Sequence, residues 1–99
     1  MTNERRSDER VSLNLPVRWD GLAGTSESRI EDLSLGGCFV NTGGRVDVGE
    51  LVGLEITLPS GEPLLLRGEV TSYQAGIGFG VVFPFLTDEE EQVLRDLVG

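Results

Sequence analysis

The chain has 99 residues, 38% of them hydrophobic, enough for one folded domain with a single core. Seventeen carboxylates against eight arginines, with no lysine and no histidine, leave a net charge of −9, which disfavours general attraction to nucleic acid or anionic membrane. One cysteine and no histidine exclude an intramolecular disulfide and an ordinary zinc site, and the usual bases that activate a serine or cysteine nucleophile are missing.

Residues 5–10 read RRSDER, and these six positions hold Arg5, Arg6 and Arg10. The first ten residues are charged and the apolar runs that follow are short, so neither a signal peptide nor a transmembrane span is read here, and a cytoplasmic setting is expected. From Val11 the apolar residues alternate through Leu13, Leu15, Val17 and Trp19, the period of a half-buried strand. Pro16 cannot donate to a ladder and belongs at an edge or a bulge. DGLAG (20–24) is a turn, and 25–33 a polar second strand ending at Asp32 and Leu33. SLGG (34–37) reads as a tight turn into a short strand at 37–42.

Val52, Leu54, Ile56 and Leu58 alternate in a fourth strand, 64–73 forms a fifth, and 77–83 a sixth. In the sixth, Ile77, Phe79, Val81 and Phe83 share one face, while Gly78 and Gly80 leave the other bare. The period then changes. Thr87 and Glu90 form a capping box, acids 88–91 sit at the positive end of the helix dipole, and Val93, Leu94, Leu97 and Val98 make an apolar stripe. The expected fold is therefore all-β: six short antiparallel strands in a small barrel or strongly curved sheet, with one C-terminal helix over about 87–98. Residues 1–10 form an arm and 11–99 a single domain.

Most local motifs have a plain structural reading. GIGFGVVF is followed by no helix N-terminus and so is not a phosphate loop. Cys38 reads as a small buried hydrophobe. The acids 88–91 open a helix and do not cage a metal. Taken alone, RRSDER is a solvated charged tail and EDLSLGG (31–37) a turn between strands.

Their chemistry is nevertheless complementary. Arginine presents a planar fork to phosphate and to guanine O6 and N7. In an extended arm, Arg6 and Arg10 would stand about 13 Å apart; in a turn they would share one side. Asp32 can accept from the N1–H and N2–H₂ edge of guanine, Ser34 can donate to a phosphate or base, and Gly36 and Gly37 let the backbone come close.

An arginine arm before the first strand, followed by D-x-S-x-x-G, resembles the PilZ family of bacterial cyclic di-GMP receptors. The R-x-x-x-R motif is matched by Arg6-Ser-Asp-Glu-Arg10, and its longer R-R-x-x-x-R form includes Arg5. D/N-x-S-x-x-G is matched by Asp32-Leu-Ser34-Leu-Gly36-Gly37. GFGVVF (78–83) is similar to the family's G-x-G-V-x-F strand, with Val82 where a basic residue is often seen.

The resemblance implies a six-stranded PilZ-like barrel with the dinucleotide on its outside and the arm folding over it. It implies that Arg6 and Arg10 clamp phosphates and Hoogsteen edges, that Asp32 and Ser34 read a base, and that Gly37 permits the turn. An arginine at the place of Arg5 is associated with an intercalated pair of ligand molecules. The implied protein is a sensor or adaptor: no enzyme, no metal, no cofactor beyond the ligand cyclic di-GMP. Its arm is expected to be mobile when free and to order on binding, signalling to an unidentified downstream protein. Neither a nucleic acid polymer nor membrane insertion is expected. The alternative is a PilZ-like protein–protein interaction module that ignores the nucleotide.

Overall fold

The computed structural model describes residues 11–98. The arm, with Arg5, Arg6 and Arg10, lies outside the described residues, as does Gly99. Six antiparallel strands close into a barrel: β1 (Leu15–Gly21), β2 (Gly24–Ile30), β3 (Gly37–Asn41), β4 (Leu51–Thr57), β5 (Pro63–Gln74) and β6 (Gly78–Val82), in the order β1-β2-β3-β6-β5-β4. The helix α1 (Asp88–Val98) follows. Of the two shapes expected from the sequence, a barrel or a curved sheet, closure decides for the barrel, because β1 pairs with both β2 and β4.

The inward residues are those the alternation marks. Leu15, Val17 and Trp19 of β1 meet Val52, Leu54 and Ile56 of β4, and Val40, Phe79, Val81 and Val70 fill the far side. Trp19 and Phe79 lie edge to face with ring centroids 5.0 Å apart, bridging opposite walls through the centre. Each such side chain contributes about 1.5–3 kcal/mol by leaving water. Pro16 lies one residue before the β1–β4 pairing starts at Val17, where β4 has no rung for it to fill.

Two expectations are corrected. The first ladder starts at Leu15 and not at Val11, which instead forms a single antiparallel bridge with Leu33. Ile77 does not share the inward face of β6; it is 56% exposed. Its N–H closes a turn onto the Gln74 carbonyl (3.0 Å), and Gly76 holds φ 78°, so the chain is still turning at Ile77.

The helix starts as expected. The Thr87 hydroxyl accepts from Glu90 N–H (3.1 Å) and the Glu90 carboxylate accepts from Thr87 N–H (3.0 Å). Leu94 is fully buried, and Val93, Leu97 and Val98 pack half-buried against the barrel. No helix among the described residues is long and apolar enough to cross a membrane.

Candidate functional site

The D-x-S-x-x-G segment is a turn built around one hydroxyl. Ser34 is buried at 4% exposure, and its Oγ accepts from the N–H groups of Gly36 (3.1 Å) and Gly37 (3.2 Å) while donating to the Gly37 carbonyl (3.3 Å). That carbonyl also accepts the Ser34 N–H at 2.9 Å. A hydroxyl has one proton and two lone pairs, so Ser34 is saturated by its own turn. The resemblance implies that Asp32 and Ser34 together read a base. In the fold, Asp32 is half-exposed beside Ser34, whose oxygen points inward to hold the loop.

The glycines differ in the same way. A Cβ on Gly37 would lie 2.0 Å from the Val81 carbonyl oxygen, so only glycine lets β3 approach β6 there. A Cβ on Gly36 would stand 3.8 Å from Ser34 Oγ, an ordinary contact. Close approach belongs to Gly37 alone. Gly36 contributes its carbonyl, which accepts from Phe83 N–H at 2.9 Å and ties the turn to the end of β6. Asp32 is the single non-glycine residue with positive φ (21°) among those described, a region where Asp is over-represented.

The first described residue after the arm is bonded to the turn at Leu33. Val11 N–H donates to the Leu33 carbonyl and Leu33 N–H to the Val11 carbonyl, both at 3.0 Å. Arg10 is covalently adjacent to Val11, so its Cα is about 3.8 Å from a residue bonded to the middle of the D-x-S sequence. Arg6 is five residues from Val11, within about 17 Å of chain.

A shallow groove of about 490 Å³ runs alongside the turn, lined by Ser34, Gly36, Gly37, Thr71, Ser72 and Val82 among others. Among the described residues its lining contains no carboxylate and no guanidinium. Thr71 and Ser72 were missed by the motif reading. The signal was an odd interval: the inward residues Leu64, Leu66 and Val70 keep even spacing, but the next, Tyr73, comes three residues on. A register slip between Val70 and Ser72 accounts for it.

A second groove of about 500 Å³ crosses β1, β2 and β4, but its charges balance. Arg18 stands 3.8 Å from Glu27, and Arg29 donates to the Asn14 side chain and carbonyl. Among the described residues no group of three or more His, Cys, Asp or Glu is placed to hold a metal ion.

A family model, the PilZ domain, matches residues 4–99. The crystal structure of the PilZ domain of CeSA from a cellulose-synthesizing bacterium is 23% identical, with a TM-score of 0.70 over 91% of this chain and 94% of that one. The Bacillus subtilis inhibitor of motility, MotI/DgrA, is 18% identical with a TM-score of 0.77, and 97% of this chain spans 50% of it. The Borreliella burgdorferi PlzA protein, solved in complex with c-di-GMP, is 16% identical with a TM-score of 0.70, and 97% of this chain spans 42% of it. The chain thus spans half or less of the length of the latter two, and at these identities the likeness is one of fold. No curated protein matches the sequence.

Proposed function

This chain belongs to the PilZ domain family, and on that premise we propose that it is a non-catalytic, cytoplasmic receptor for cyclic di-GMP. The dinucleotide lies across the Asp32–Gly37 turn and the adjoining groove. Arg6 and Arg10 engage its phosphates and guanine Hoogsteen edges, with Arg5 available to a second ligand molecule. Asp32 accepts from a guanine edge, Ser34 and Gly37 hold the turn in shape, and Gly36 offers backbone at its surface. Binding draws residues 1–10 onto the barrel and changes the surface that a downstream protein meets.

The observation that carries this reading is the Val11–Leu33 bridge, which ties the residue following R-x-x-x-R to the middle of the D-x-S-x-x-G turn. Acidic charge supports it as well. A net −9 repels polyanions in general, so a small dianion is held only where arginines are locally concentrated. Four or five charge-assisted hydrogen bonds of roughly 1.5–3 kcal/mol, less the cost of ordering the arm, leave about 8 kcal/mol, a micromolar affinity.

Calorimetric titration with cyclic di-GMP tests the proposal and gives ligand number together with affinity. A micromolar isotherm is expected. Absence of heat at ligand concentrations on the order of tens of micromolar would overturn it and favour the module that works through protein contacts alone.

A further inference from the structure

We infer that Thr71 and Ser72 are ligand-contacting residues of this same site and that they engage the uncharged part of the nucleotide, its base or ribose. The inference rests on the cyclic di-GMP reading and extends it to residues outside both motifs.

Its basis is the irregularity in β5. Val70 lies opposite Val81 and Ser72 opposite Gly80, so three residues of β5 face two of β6 and Thr71 is the extra one. In a regular strand one of two successive side chains would point into the barrel. Here both are exposed, and both line the groove beside Gly36 and Gly37. A bulge re-aims side chains in this manner, and bulges are over-represented next to functional sites.

The two hydroxyls are available and held in place. Ser72 Oγ has no hydrogen-bond partner among the described residues, and Thr71 Oγ1 makes only a long contact, 3.4 Å, to the Gly80 carbonyl. Gly80 leaves the space in front of Ser72 open: a Cβ there would sit 2.9 Å from Ser72 Oγ. The strand before the bulge is clamped on its other side, since Val70 N–H donates to the Glu50 carbonyl (2.9 Å) and Val70 carbonyl accepts from Gly49 N–H (2.8 Å). A pre-positioned pair loses little freedom on binding.

The groove's neutrality assigns the ligand part. With no cation among the described residues of its lining, the groove wall does not itself compensate a phosphate charge, which falls to the arginines of the arm. Hydroxyls both donate and accept, as a base edge or sugar hydroxyl requires. Half-exposed Val82 adds an apolar wall on which a base can rest.

The test is titration of cyclic di-GMP into Thr71→Val, Ser72→Ala and the hydroxyl-retaining Thr71→Ser, at two salt concentrations, with thermal melting of each variant. Thr71→Val and Ser72→Ala should each weaken binding about threefold to tenfold at an unchanged melting temperature. Thr71→Ser should bind as the wild type does. Because no charge is removed, the salt dependence should match wild type, whereas Arg10→Ala flattens it. If wild-type protein binds and both Thr71→Val and Ser72→Ala match it, this inference falls and the receptor reading stands. If wild-type protein does not bind, the receptor reading falls and takes this inference with it.

Discussion

Val11 and Leu33 exchange two backbone hydrogen bonds of 3.0 Å, and nothing else in the described chain joins the residue after the arginine arm to the D-x-S-x-x-G turn so directly. Leu33 is fully buried, so the bridge is anchored on the core side. Val11→Pro removes the donor and pushes Arg10 out of helical backbone space while leaving the barrel ladders untouched. Affinity for cyclic di-GMP should fall severalfold, with at most about 1.5 kcal/mol lost from stability. Calorimetry paired with denaturant unfolding checks it, and wild-type affinity in this variant would count against the bridge as the positioning element.

Arg6→Ala and Arg10→Ala should each weaken cyclic di-GMP binding at least tenfold, about 1.4 kcal/mol, with the fold intact. The far-ultraviolet circular dichroism and melting curve serve as the fold control. Titration curves unchanged in both variants would remove the arm from the binding mechanism.

Gly37 and Gly36 should separate cleanly. Gly37→Ala drives a methyl to 2.0 Å from the Val81 carbonyl oxygen, so β3 and β6 must part at that end, at a cost of about 1–3 kcal/mol or more. Gly36→Ala meets nothing closer than 3.8 Å and should change the denaturant midpoint little. Equal midpoints for the two variants would contradict the close approach at Gly37.

Ser34→Ala strips the acceptor from two N–H groups at once, those of Gly36 and Gly37. Since Gly37 is buried, ligand-free protein should lose about 1–3 kcal/mol. The measurement is a melt without nucleotide. A stability loss there identifies Ser34 as the residue that shapes the turn before any ligand arrives; an unaltered melt would return it to a purely ligand-facing role.

Much of this protein is written locally. The alternation Leu15, Val17, Trp19 marks an inward face because a strand's side chains change sides at every residue, and burial follows. The Thr87–Glu90 box specifies its helix start because both partners lie within one turn of chain. The motif residues Asp32 to Gly37 were legible as a turn, but the approach of Val81 that sets Gly37 apart from Gly36 was not. What the folded structure alone decided is which partner, near or distant, completes each polar group. Ser34 turned inward because the turn closes on its hydroxyl, Ile77 turned outward because the chain is still reversing there, and Thr71 and Ser72 came out together because β5 slips by one residue against β6. The same holds for Val11, which alternation alone would continue as strand and which closure of the barrel instead brings to Leu33. Periodicity records which side of the chain is buried; it carries no information on which distant backbone completes each hydrogen bond, and that choice is made only when the six strands close.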